Sequence, residues 1–487
     1  MPSPRATMLL KHTAYYFLAR GFPAFVNFLA LSIYSHLLTP GEYGQYALVV
    51  AAISLANSVL FWWIQLAIRR YLPREVGQGE VLLSTLVSAY LLLVGVTGLF
   101  GCAIYVTIDL QPWRGFIPIA LVALWVQAWH EITLQLVSSR LRPLRYGLIS
   151  IVRSLFALGI SVLLLRADLA AQALLWGLVL GALLSTLALA RAEWHGVQLR
   201  LVNRRRLRES LRYGLPLSAV FIFEFVVSTS DRFVLAWLID DKATGLYSAG
   251  YDLAKYSLGA LMAMVYLAAN PLVVRTFEKE GATAAKALLE RYGLLLLAVS
   301  APTTVGIAIL ANNISIVVLG DAFSSSAGRL MPWIAVAALL VGAKTFYYDL
   351  AFQLGERTIG QVGVMVAAAV LNFLLNIAWI PSYGIQGAAW AAVAAYSIAT
   401  ILSMWFGRIH FPIPQIPRGS TRVIAATAVM AVCLLPVHGM RGLTALFVQV
   451  LLGAAVYGIA VLLLNVGNVQ IALLTLAHNP RRISGRK

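Results

Sequence analysis

LLLLAVSAPTTVGIAIL, residues 294–310, runs for seventeen positions without a charged side chain. With its neighbours it approaches the roughly 20 apolar residues that a helix needs to cross about 30 Å of hydrocarbon. One such run would also suit a core helix of a soluble protein. Here the pattern returns in YLLLVGVTGLFGCAI at 90–104 and in AATAVMAVCLL at 425–435, with similar runs from end to end. Strands of a transmembrane barrel would alternate over about ten residues, whereas these Leu- and Ala-rich runs are longer and continuous, so they read as helices. The chain of 487 residues is 60% hydrophobic and 11% charged, with a mean hydropathy of +0.82. A soluble chain carries about 25% charged residues to face water. Most side chains are therefore solvated by lipid or by other helices, and the fold class is that of an all-α integral membrane protein.

Fourteen spans are expected, at 13–37, 42–68, 81–108, 115–137, 145–165, 169–190, 213–238, 243–269, 290–312, 328–354, 358–379, 384–407, 420–436 and 442–465. The first begins after Lys11 without an Ala-x-Ala pattern and reads as a span, not as a removed leader. Between the first two, Thr39 is placed to cap the new helix, Pro40 occupies its first position and Glu42 completes a capping box. The run IPSYG at 380–384 makes a comparable sharp stop, and only Arg166, Ala167 and Asp168 separate the fifth span from the sixth. With the N-terminus inside, the loops facing one side collect 27 Lys and Arg against 5 on the other. Basic residues accumulate in cytoplasmic loops, so both termini are expected in the cytoplasm. The same rule accounts for the formal charge of +18, which in a soluble chain would point to nucleic acid. Multi-pass residence in a bacterial inner membrane follows once the family resemblance below is added.

The loops exclude several functions. None exceeds about 25 residues, which leaves no room for a catalytic domain outside the membrane. No Walker lysine loop, His-Glu-x-x-His or nucleophile elbow is present, so the chain is not expected to be an enzyme. Cys102 and Cys433 stand alone in apolar segments and suggest neither a metal site nor a disulfide. Without an ATP site, any cargo is expected to move down a gradient or to be coupled to an ion, a proton or sodium, or to the membrane potential.

Weak internal repetition organises the chain. Gly21-Phe22-Pro23 in the first span matches Gly214-Leu215-Pro216 in the seventh, and Gly44-Gln45-Tyr46 matches Gly245-Leu246-Tyr247. Residues 143–189 and 358–405 share a layout with Trp176 and Trp390 in corresponding helices. Two pseudo-symmetric six-helix bundles plus two C-terminal helices are expected, with 1–190 as the N-terminal bundle, 191–212 as a basic cytoplasmic linker, 213–408 as the C-terminal bundle, 409–465 as the extra helices and 466–487 as a cytoplasmic tail. The linker is read chiefly as an anchor for anionic headgroups. Trp62, Trp63, Trp113 and Trp379 fall near span ends and read as interfacial belt residues.

Charge inside a span costs several kcal/mol unless it is paired or hydrated. The spans hold Arg20, Glu131, Arg153, Glu224, Asp231, Arg232, Asp252, Lys255, Lys344 and Asp349, with His130 as a further titratable group. Asp231 and Arg232 are placed near the outer face, within snorkelling reach, and Asp349 toward the cytoplasmic end. Asp252 and Lys255 are three apart and share a helix face, where they neutralise each other or line a wet cavity. Arg20, Arg153, Lys255 and Lys344 form the candidate cationic set, with Glu224 and Asp252 as acidic or coupling partners and Tyr251 and Tyr347 as rings for a sugar. Four cations against two anions suit a phosphate or a uronic acid better than a cationic drug.

Three segments carry a family resemblance: LTPGEYGQY at 38–46, TGLYSA at 244–249, and LNFLLN at 371–376 leading through Pro381 to YGIQGAA at 383–389. Together with the fourteen spans they resemble polysaccharide flippases of the Wzx type, in the multidrug/oligosaccharidyl-lipid/polysaccharide exporter superfamily. The resemblance implies a two-lobed transporter that flips undecaprenyl-diphosphate-linked oligosaccharide to the periplasmic leaflet by alternating access. It implies a central cationic cavity, membrane lipids as neighbours and a polysaccharide polymerase or glycosyltransferase complex as a partner. A drug antiporter or a peptidoglycan-precursor flippase of the same fold, and a non-transporting scaffold for glycan synthesis, are the alternatives.

Overall fold

A computed structural model describes residues 4–75, 79–108, 111, 113–357 and 359–468, without the side chains of 4–20, 219–221, 224 and 468. In chain order the helices are α1 (Pro4–Leu37), α2 (Pro40–Leu60), α3 (Trp62–Tyr71), α4 (Gly79–Thr107), α5 (Phe116–Ser139), α6 (Pro143–Leu165), α7 (Ala170–Ala190), α8 (Arg204–Leu238), α9 (Asp241–Val318), α10 (Asp321–Ala343), α11 (Leu350–Leu354), α12 (Ile359–Tyr383), α13 (Ile385–His410), α14 (Ser420–Leu434) and α15 (Leu443–Leu463). Among the described residues eleven helical stretches are long and apolar enough to cross a membrane, and no strand occurs. The expected count of fourteen rests in addition on α1, on α8 and on dividing α9. That division is physical: Gly281 takes φ +84°, outside helical space, between the stretches expected as two spans.

The chain forms two compact units, Ala14–Gly245 and Leu246–Lys487 together with Met1–Thr13. This boundary falls beyond the linker at 191–212, because α8 packs on α2 and α3 and so joins the N-terminal helices.

In the N-terminal unit the capping box forms as the sequence dictates. The Thr39 amide donates to Glu42 Oε2 at 2.8 Å, and the Glu42 amide donates to Thr39 Oγ1 at 3.4 Å. The matched glycines explain themselves here. A Cβ on Gly44 would run into the Asp241 carbonyl and one on Gly245 into the Pro40 carbonyl, so backbone meets backbone where α2 and α9 begin. Phe61, Ile64, Ile68, Leu82, Leu86, Ile132 and Leu136 fill the core between α2 and α5. Trp63 joins that core instead of the interfacial belt, its Nε1 donating to the Leu60 carbonyl at 2.8 Å where the chain turns from α2 into α3.

In the C-terminal unit α12 stops at Gly384, whose φ of +59° lets α13 turn back on α12. Asn313 on α9 donates to Gln449 on α15 at 2.8 Å and accepts from the Gly442 amide at 2.8 Å. Tyr457 Oη donates to the Ala298 carbonyl at 2.7 Å, so the last helix is tied to α9 by polar contacts as well as by packing. Between α10 and α11 the ladder slips by one residue over Lys344–Tyr348, a π-turn in which the Asp349 amide donates to the Lys344 carbonyl at 2.8 Å.

Candidate functional site

The expected site residues divide between the units. Arg20, Arg153 and Glu224 belong to the N-terminal one, and Tyr251, Asp252, Lys255, Lys344 and Tyr347 to the C-terminal one. The side chains of Arg20 and Glu224 lie outside the described residues.

Glu131 on α5 is the centre of the N-terminal cluster. Its Oε2 accepts from Asn57 Nδ2 at 2.6 Å and Gln65 Nε2 at 3.0 Å, and its Oε1 accepts from Gln127 Nε2 at 3.1 Å. Three carboxamides thus replace the water that a carboxylate loses inside a bilayer. Arg153 on α6 is partly buried and feels the Glu131 charge through space. His130, one position before Glu131, points elsewhere: it is buried, with Nδ1 2.8 Å from Thr186 Oγ1 on α7.

Lys344 is found in a different state from the one expected of a ligand contact. Its Nζ donates to Asp349 Oδ2 at 2.7 Å, and both side chains are only 1% exposed. Gln361 Nε2 donates to the same Oδ2 at 3.0 Å, and Ser403 Oγ donates to Oδ1 at 2.8 Å. The ion pair is closed and its carboxylate fully hydrogen-bonded, so in this conformation Lys344 offers no charge to a ligand. Tyr347 is engaged as well. Its hydroxyl donates to the Pro414 carbonyl at 2.7 Å and that of Tyr348 to the Gln415 carbonyl at 3.0 Å, tying residues 414 and 415 to the π-turn.

These partners change the charge count. Two of the four expected cations thus have a carboxylate that the expected set did not include, Asp349 for Lys344 within the C-terminal unit and Glu131 for Arg153 within the N-terminal one. Asp231, expected to snorkel, is buried, held by α8 within the N-terminal unit. What remains is a difference of exposure. Lys255 is exposed, and among the described residues it pairs with no carboxylate; its Nζ lies 5.4 Å from the centroid of the Tyr251 ring. A cation over a ring gains a modest stabilisation and keeps its charge available.

A cavity of about 270 Å³ opens beside Tyr347 within the C-terminal unit, with Met262, Leu296, Leu339, Ile424 and Ser300 among its lining residues. Its lining is apolar with few polar groups, so it suits hydrocarbon better than a charged headgroup.

Comparison with known proteins agrees with this architecture. A solved structure of the lipid II flippase MurJ in an inward closed conformation aligns over 92% of this chain and 98% of its own, with a TM-score of 0.78 at 11% identity. An inward-facing multidrug resistance MATE family transporter of the MOP superfamily aligns over 81% and 98%, with 0.62 at 11% identity. A mutant of the Vibrio cholerae MATE transporter VcmN aligns over 82% and 95%, with 0.55 at 14%. At these identities the likeness is one of fold. No curated protein gives a significant sequence match. Residues 9–277 match the family described as polysaccharide biosynthesis protein, and with more than half of its 487 residues matched the chain belongs to that family.

Proposed function

We propose that the protein carries an undecaprenyl-diphosphate-linked oligosaccharide from the cytoplasmic to the periplasmic leaflet of a bacterial inner membrane by alternating access, with both termini in the cytoplasm. The observation that carries the reading is the exposed Lys255 over the Tyr251 ring in a chain of the polysaccharide biosynthesis family. The exposed ammonium offers a phosphate its charge, while the buried Tyr251 ring supports it from beneath. Arg20 and Arg153 are proposed as further cationic contacts, and Glu224 and Asp252 as acceptors of a coupling proton or sodium ion. In this reading Lys344 is a structural residue and leaves the binding set, while Tyr347 contributes its ring to the cavity and not its hydroxyl.

A lipid cargo is favoured over a drug because the flippase fold aligns over 92% of the chain and the two multidrug folds over 81% and 82%. The proposed partners follow from the cargo: membrane lipids around the chain and a polymerase or glycosyltransferase on either side of the transport step. Reconstitution into proteoliposomes tests the reading. Transfer of a defined undecaprenyl-diphosphate-linked glycan between leaflets is expected, at a rate that responds to an imposed proton or sodium gradient. Transfer of a fluorescent cationic drug with no transfer of the glycan would overturn it.

A further inference from the structure

Three arginines converge on one carboxylate at the start of α6. Arg140 Nη1 donates to Glu193 Oε2 at 2.6 Å and to the Glu193 carbonyl at 2.7 Å, Arg142 Nη1 donates to Oε1 at 2.6 Å, and Arg145 Nη1 also donates to Oε1. The Glu193 side chain is fully buried beneath them, while the side chains of Arg140, Arg142 and Arg145 are 31%, 53% and 40% exposed. One guanidinium would neutralise Glu193. Three leave two positive charges in a single patch, and among the described residues no other carboxylate pairs with them. Like charges held this close repel unless an anion from outside completes the set.

The patch has a neighbour that says which anion. Leu141 sits between two of the arginines with φ +54°, a left-handed conformation that is costly for a side chain of its size, and it is exposed. Leu144, Leu148 and Leu155 are exposed on α6 as well. On α6, Leu144, Leu148 and Leu155 are four and seven residues apart, so these three share one helix face, and Leu141 lies in the turn that precedes it among the arginines. Apolar surface gives way to cationic surface at a single level, which is the arrangement found where hydrocarbon meets headgroups. A soluble anion would have no use for the leucines, and a neutral lipid would leave the charges unmet.

We propose that Arg140, Arg142 and Arg145, held in place by Glu193, bind the phosphate ester of a lipid whose acyl or prenyl chain lies along Leu144, Leu148 and Leu155. The site stands or falls independently of the cargo proposed above, since it lies within the N-terminal unit and needs no transport step. Two sources share this chemistry, a bulk anionic phospholipid and a polyprenyl phosphate.

Native mass spectrometry of the full chain in a neutral detergent separates them. Phosphatidylglycerol, phosphatidylcholine with the same chains, undecaprenyl phosphate and inorganic phosphate are added in parallel. Preferential adducts with phosphatidylglycerol or undecaprenyl phosphate over phosphatidylcholine are expected, and the stronger of the two names the source. R142Q/R145Q retains the Arg140 to Glu193 pair, so thermal unfolding should remain close to that of the parent. Its affinity for the anionic lipid should fall about fivefold for each guanidinium removed, roughly 25-fold for the pair. Should the double variant not fold, R142Q alone carries the test with a fall of about fivefold. Equal adducts with phosphatidylglycerol and phosphatidylcholine, unchanged affinity in the folded variant, or adducts with inorganic phosphate alone would each refute the site.

Discussion

Glu131 in the N-terminal unit and Asp349 in the C-terminal unit are both carboxylates on membrane-spanning stretches, yet they are held by different chemistry. Asp349 faces an ammonium at 2.7 Å and two neutral donors, and the whole group is sealed from solvent. Glu131 has three carboxamides as its hydrogen-bond donors, and Arg153 interacts with it through space. A sealed ion pair is costly to break and offers little to a ligand. An amide-held carboxylate keeps its charge visible to whatever approaches it. The difference teaches that charges inside the spans are not equivalent markers of function: pairing and exposure decide which of them can serve.

The largest effect should come from breaking the sealed pair. D349A leaves the Lys344 ammonium buried without its partner, and a loss of about 3–5 kcal/mol is expected, read as a steep drop in thermal unfolding temperature in detergent and in expression. Adding K344M to that variant should recover most of the loss; a double variant as unstable as the single one would mean that the pair is not the source. E131A removes an acceptor from three amides and should cost about 1–3 kcal/mol. E131Q should recover part of this, because its carbonyl oxygen still accepts. If E131A proved as damaging as D349A, the contrast between the two units would fail.

A third carboxylate sharpens the contrast from outside the spans. Burial pushes the Glu193 carboxyl up, but the Arg140, Arg145 and Arg142 guanidinium groups outweigh it and hold the group below the usual carboxylate range. A group whose value is lowered on folding contributes stability above its unfolded value and loses it as pH falls toward its folded one. Thermal unfolding temperature should therefore decline as pH drops below the ordinary glutamate value of 4.5, and E193Q should show a shallower decline over the same window. The smallest effect belongs to the surface. Arg205 and Glu209 form a pair four residues apart at 3.0 Å with Arg205 88% exposed, and R205A should alter stability by no more than about 0.5 kcal/mol.

Much of the fold could be read from residues. The capping box at Thr39 and Glu42 is local chemistry, and the glycines at 44 and 245 stood out because two segments shared them. Helical stretches follow the apolar runs for the same reason, since each satisfies its own backbone. The site was less legible because its partners come from other helices. Asn57, Gln65 and Gln127 carry no charge and gave no signal for their meeting at Glu131. The pairing of Lys344 with Asp349 is hidden from the sequence for a sharper reason. Five residues along an α-helix point about 140° apart, so the two should not meet; the π-turn between them alters the register and brings them together. Exposure, which separates Lys255 from Lys344, is likewise a property of packing and not of sequence spacing.

The central claim is that Lys255 receives the phosphorylated headgroup while Lys344 only holds the fold. Leaflet transfer of an undecaprenyl-diphosphate-linked glycan should be measured in proteoliposomes with the parent chain, K255Q and K344M/D349L, each matched for folded protein. The account predicts at least a tenfold loss of rate for K255Q, about 1.4 kcal/mol, and near-parental transfer for K344M/D349L. Unchanged transfer by K255Q together with abolished transfer by a folded K344M/D349L would contradict it.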